Sequence, residues 1–285
     1  MSDFLALLWA PFLMCLVLTG IHAYLGVHVL AREVVFVDIA LAQIAALGAT
    51  AAFFIGYETT TWASYFSGLA ATLVGAVVLA LTRSRGRHVS QEAVIGVVYA
   101  ASSAAAVLIA DRAPHGAEQV RTMLVGNLLA VQPSEILEVA VLYTLIGLLH
   151  WLCRRPFFLI STDPDTAFAQ GWRVRRWDLL FYATFGVVVT SSVRIAGVLL
   201  VFSYLIVPAL AGIALGGRVT TRLLMGWAFG AFVSVVGMIA SAALDLPTGA
   251  TVVCVFALML LAFWIAGRLF GWPSVRAREV LSTAR

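Results

Sequence analysis

The 285-residue sequence contains no lysine, three cysteines and few charges of either sign, with 11% charged residues against 62% hydrophobic ones. Without lysine there is no Gly-x-x-x-x-Gly-Lys-Ser/Thr phosphate loop, so any use of ATP must occur in another chain and no cofactor is expected in this one. The His-Glu-x-x-His and Gly-x-Ser-x-Gly patterns are also absent, which argues against a membrane-embedded hydrolase. Cys15, Cys153 and Cys254 lie in or at the ends of apolar segments without metal-type spacing, and read as inert buried thiols. A mean hydropathy of +1.01 leaves too little polar surface to cover a soluble globule. The chain is therefore read as an integral membrane protein, with lipid as its surroundings and no nucleic-acid partner.

A bilayer core takes about 20 apolar residues per helix, and about nine such segments follow one another. They run over 8–30, 34–55, 62–82, 92–110, 135–153, 178–194, 197–215, 222–243 and 249–270. The expected fold is all-α, a polytopic transmembrane helix bundle forming a single domain over 1–285. No basic region precedes the first apolar run, so that run is expected to be a span and not a cleaved signal. "RTMLVGNLLAVQPSEIL" is apolar over 123–131 but short, and reads as an external or re-entrant helix stopped at Gln132 and Pro133. Small residues at helix-packing spacing, Gly226 with Gly230 and the series Ala45, Gly48, Ala49, Ala52, let backbones approach closely. There is no convincing internal repeat of the kind that builds many secondary transporters.

Arginines set the orientation. They cluster at 82–88, 153–156, 171–177, 216–222 and 273–279, whereas "GYETTTW" and "LDLPTG" carry none. Basic loops face the cytoplasm, so the N-terminus is expected outside and the C-terminus inside. The external loops then offer Arg112 and Arg121 to carboxylates on a partner.

The loop over 154–178 is the most informative. Asp163 can cap a helix, Pro164 fits its first position, Asp165 suits the dipole and Gly171 fits a left-handed stop. These signals predict a helix over 164–170 outside the bilayer, presenting Ala167, Phe168 and Gly171 beside Arg173, Arg175 and Arg176. It reads either as a docking element for a soluble partner or as a connector anchored by positive-inside arginines.

"RHVSQEAVIGVVYA", "MLVGNLLAVQPSEIL", the loop with Ala167 and Gly171, and "VRIAGVLLVFSYLIVPALAG" together resemble the permease of the ATP-binding-cassette importers for zinc, manganese and iron. More distantly they resemble siderophore and cobalamin permeases. The resemblance covers about Leu18 to Leu261 and implies a type II importer fold in the bacterial inner membrane. It also implies a permease homodimer, an ATPase subunit and a periplasmic or lipoprotein solute-binding protein. By it, Asp163, Asp165, Ala167, Phe168 and Gly171 become ATPase coupling positions, and Arg112 and Arg121 candidates for docking the binding protein.

The resemblance implies a divalent metal, zinc or manganese, with a metal chelate or small organic solute as the rival. Family members share a Gly-Asp-x-x-x-His piece on the second span; here Ile39 and Gln43 stand at those two positions, with Asp38 one residue early. At about 100° per residue, Asp38 and Gln43 are about 140° apart round the helix and cannot chelate one ion side by side. His22 and Gln43 both fall near mid-membrane, so His22, Asp38 and Gln43 are the candidate path residues and His22 the candidate metal ligand. His28 and Asp38 lie closer to the cytoplasmic edge, where snorkelling or an ion pair with Arg32 accounts for them. His88, His150 and His115 are expected to be solvated, and Glu92 to suit a helix N-terminus. Asp38 alone keeps an ion-driven secondary transporter in view.

Overall fold

The computed structural model describes residues 2–58, 61–82, 90–113, 116–215 and 219–269, and contains no strand among them. Its helices are α1 (Ser2–Ala31), α2 (Val37–Phe54), α3 (Trp62–Thr82), α4 (Gln91–Ala110), α5 (Gly116–Val125), a 3-10 turn (Leu128–Ala130), α6 (Pro133–Leu152), α7 (Arg154–Thr162), α8 (Pro164–Ala169), α9 (Val174–Ala214), α10 (Val219–Leu244) and α11 (Thr248–Leu269). Eight of them are long and apolar enough to cross a membrane: α1 over Leu8–Ala31, α2, α3, α4, α6, α9, α10 and α11. His88 and His115 lie outside the described residues, as do the basic stretch 83–89 and the C-terminal arginine cluster 273–279.

About nine spans were expected and eight helices carry them. The segments 178–194 and 197–215 run on as one element, α9, of 41 residues, twice what a span takes. Its helical geometry breaks at Gly197, where φ is 76° and ψ 161°.

Helix is the only local structure that satisfies every backbone polar group of such sequences in lipid. The few hydroxyls within them follow the same rule: Thr19, Thr50, Thr72 and Ser192 each donate to the carbonyl four residues earlier, at 2.7–2.8 Å. Termini carry recognisable signals. Ser90 Oγ accepts from Ala93 N at 3.2 Å to cap α4. At α6, Pro133 opens the helix while Glu135 reaches back to accept from Gln132 N at 3.0 Å. The Gln132 and Pro133 pair thus starts a span as well as ending the apolar run before it. That run is not one helix either: α5 begins earlier, at Gly116, and stops at Val125, and only Leu128–Ala130 is helical beyond it.

The described chain falls into two units, each assembled from separate stretches of sequence. The first comprises Met1–Arg32, Asn127–Leu152 and Leu199–Arg285. In it α1 packs on α10, α6 and the 3-10 turn, and α10 packs on α11. The Gly226 and Gly230 pair does what its spacing predicts: a Cβ there would stand 2.6 Å from Pro208 O and 2.6 Å from Thr19 Cγ2. Cys15 and the Tyr204 and Ser234 side chains are buried in this unit, with Tyr204 Oη 2.7 Å from Ser234 Oγ.

The second unit comprises Glu33–Gly126 and Cys153–Val198. Here α2 packs on α3 and α4, and α4 on α5. The small-residue series on α2 meets α3 closely enough for Ser67 Oγ to donate to Gly48 O at 2.7 Å. Glu92 does more than suit its helix dipole, because its Oε1 accepts Phe36 N at 3.2 Å and ties the start of α2 to the start of α4. Thr190 Oγ1 donates to Thr72 Oγ1 at 3.0 Å inside the unit, and Gln91 Nε2 donates to Tyr182 Oη at 3.1 Å.

Candidate translocation residues and coupling surface

His22 is fully buried in α1 of the first unit. Its Nδ1 lies 2.8 Å from Leu18 O. A carbonyl only accepts, so Nδ1 carries the proton and Nε2 the lone pair, the form in which an imidazole accepts a proton or binds a metal. The ring stands edge-on to Tyr143 of α6 at 6.1 Å.

Asp38 and Gln43 belong to the second unit, on α2. Asp38 lies in the first turn and is 1% exposed, whereas Gln43 is half-buried, as befits two positions on different faces. Neither Asp38 oxygen accepts a hydrogen bond from any described residue. A snorkelling side chain is therefore not what holds it. Depth along a helix can be counted from sequence, but which face turns inward cannot, and α2 turns this carboxylate inward.

The solvated reading of His150 is corrected in the same way, whereas His28 sits in the last turn of α1, near the helix end as expected. Both are fully buried in the first unit, and both stand edge-on to Tyr24, at 4.9 Å for His28 and 5.6 Å for His150. Tyr24 and His28 are four residues apart on α1, a spacing that puts them on one helix face. That half of the cluster had a signal in the sequence; His150, on α6, had none.

Arg112 and Arg121 are exposed, beyond the end of α4 and on α5 respectively. Among the described residues no three His, Cys, Asp or Glu side chains are grouped to hold a metal ion together.

The loop after α6 is more structured than its punctuation alone suggested. It holds two helices, α7 and α8, where one was expected, because "RRPFFLIST" buries Pro156, Phe157, Ile160 and Ser161 on one side. Asp163 Oδ1 accepts from Thr166 N at 3.0 Å, and Pro164 takes the first position of α8. The helix ends with Gly171 at φ 76°, Gly171 N donating to Phe168 O at 3.1 Å and Trp172 N to Ala167 O at 3.0 Å, a Schellman stop. Ala167, however, is not presented. It is fully buried with Ile160 and Val174, against Leu159, Phe168 and Trp177, where it holds the two helices to the start of α9. The exposed residues of the loop are Asp165, the run from Ala169 to Arg173, and the arginines Arg154, Arg155, Arg175 and Arg176.

The sequence profile of the ABC 3 transport family matches residues 4–266. The chain belongs to that family. Its membership spans all eight candidate membrane helices but for the outermost residues of α11, together with the loop holding α7 and α8. Among its relatives, the chain is 25% identical to the manganese transport system membrane protein MntC of Halalkalibacterium halodurans, over 91% of this chain and 89% of that one. It is 24% identical to a protein of Haemophilus influenzae described as a probable iron transport system membrane protein, over 88% and 87% of the two chains. The fold is similar to that of a chain in PsaBC from Streptococcus pneumoniae in complex with Fab, with a TM-score of 0.76 at 18% identity, covering 100% of this chain and 99% of that one.

Proposed function

We propose that this ABC 3 family chain is the membrane permease subunit of an ATP-driven importer for a divalent metal ion, manganese ahead of zinc. The observation that carries this reading is the family match over 4–266, whose relatives include proteins named for manganese and iron transport. The chemistry of the buried candidates supports it: an aspartate oxygen, an amide oxygen and an imidazole nitrogen suit manganese better than a thiolate-preferring ion. His22, Asp38 and Gln43 line the path, His22 being a ligand through Nε2. Two copies of the permease form it. Two copies of an ATP-binding subunit drive it from the cytoplasm through the α7–α8 loop. A solute-binding protein docks outside at Arg112 and Arg121 and delivers the ion. The role is transport in the bacterial inner membrane, and the chemistry of ATP hydrolysis resides in the partner.

One observation favours a second reading. Ile39 and Gln43 stand where the family resemblance leads one to expect an aspartate and a histidine, which suits a metal chelate that brings its own ligands. Uptake into proteoliposomes holding the permease and its ATP-binding subunit, with the solute-binding protein inside or outside as required, separates these. ATP-dependent accumulation of free manganese supports the first reading. Accumulation of a chelate with no movement of the free ion supports the second, and uptake by this chain alone overturns both.

A further inference from the structure

The exposed side of the coupling loop carries a groove of about 500 Å³, lined by Gln170, Gly171, Trp172, Arg173, Arg176, Trp177 and Leu180. Its charge is of one sign. Arg173 immediately precedes α9 and Arg176 lies in its first turn, with Arg176 N donating to Arg173 O at 2.9 Å, and both side chains line the groove. Both arginines are exposed, and no described carboxylate pairs with either. The walls are aromatic: the Trp172 and Trp177 rings stand 6.2 Å apart at 56°. They are also held in place, since Trp172 Nε1 donates to Gln170 Oε1 at 3.2 Å and Trp177 packs edge-on to the buried Phe157 at 5.8 Å. At the mouth, Gly171 has open space where a Cβ would stand.

Two exposed guanidiniums lining one groove with two indole rings suit a carboxylate, because arginine forks match its geometry. We propose that this groove is the electrostatic half of the docking surface for the ATP-binding subunit, and that it takes an acidic segment of that subunit. The inference rests on the coupling reading above. It also replaces that reading's apolar tip, because Ala167 faces inward and the groove is what the loop presents. A protein partner is favoured over an anionic lipid headgroup on two counts. Leu180 is the only aliphatic side chain among the lining residues, too little wall for acyl chains. Gly171 and Trp172 also form the stop of α8, so the groove is built on the loop itself as much as on the span.

The test uses the full-length permease in nanodiscs and the purified ATP-binding subunit recovered with it from native membranes. The wild type, Arg173→Gln/Arg176→Gln and Arg173→Lys/Arg176→Lys are titrated with that subunit at low and high salt. Size-exclusion profiles and melting temperatures confirm that each variant is folded. The glutamine pair is expected to bind at least about tenfold more weakly at low salt and to lose most of the salt dependence, with the lysine pair intermediate. Unchanged affinity and salt dependence in the glutamine pair overturns the groove. So does a variant that binds the ATP-binding subunit normally but no longer retains phosphatidylglycerol in native mass spectrometry, which would assign the groove to lipid. A variant shortened between Ala167 and Gly171 separates the two levels of inference. If it loses the subunit while the glutamine pair keeps it, the loop docks and the groove does not. If it binds normally, or the wild type recovers no ATP-binding subunit, the coupling reading falls with the groove.

Discussion

Gly126 and Gly197 meet backbone to backbone inside the second unit, each in a left-handed φ, 71° and 76°. A methyl group on Gly126 would stand 2.5 Å from Gly197 N, and one on Gly197 would stand 2.7 Å from Leu124 O. One glycine opens "GNLLAV" and the other "GVLLVFSYLIVPALAG", so the two stretches with the most specific family likeness touch at their first residues. Each lies next to a point where the chain leaves the second unit for the first.

Substituting either glycine is therefore expected to act on both conformation and packing. A left-handed non-glycine residue costs about 1–3 kcal/mol before any steric clash is counted. Gly126→Ala and Gly197→Ala should each lower the melting temperature of the purified protein by several degrees. Gly147→Ala, where the added methyl meets nothing within 4 Å, should leave it unchanged or raise it. Equal melting temperatures across the three variants would show that the contact is not needed.

Asp38 is a buried carboxylate that no described residue hydrogen-bonds. Such a group destabilises the fold, by about 1–3 kcal/mol or more when charged. Asp38→Asn should raise the melting temperature and cut ATP-dependent metal uptake at least about tenfold, opposite signs that a structural role cannot produce. A variant with normal uptake takes Asp38 out of the path.

His22 offers a lone pair at Nε2 from a ring fixed by Leu18 O. Losing the ligand itself should cost at least as much metal affinity as losing an outer-shell partner does, about 10–100-fold. His22→Ala should therefore depress uptake at low metal concentration more than at saturation, and metal analysis of cells carrying it is the readout. Unchanged uptake at every concentration leaves His22 as a packing residue that back-bonds its own helix.

Asp163 caps α8 through Thr166 N, a contact whose loss costs about 1 kcal/mol. In a helix of six residues that is enough to loosen the whole element. Asp163→Ala should leave the melting temperature nearly unchanged yet reduce transport per ATP hydrolysed, while Asp163→Ser, which keeps a capping oxygen, should restore most of it. Full coupling in the alanine variant would remove α8 from the drive train.

Features set by neighbours three or four residues apart were legible from the amino acids alone. The membrane class follows from the near-absence of charge. The ends of α8 follow from Asp163, Pro164 and Gly171, whose effects reach only one helical turn. The tight contacts of Gly226, Gly230 and Gly48 follow from small residues repeated on one face. Tertiary structure alone decided what depends on partners far along the chain. It turned Ala167 inward under Ile160 and Val174, left the groove of Arg173 and Arg176 on the exposed side, set His150 against Tyr24, and placed Asp38 where no described residue hydrogen-bonds it. The reason is physical: hydropathy and spacing give a residue its depth and its helix, but its facing depends on which other helix packs there, and that choice is made by long-range contacts.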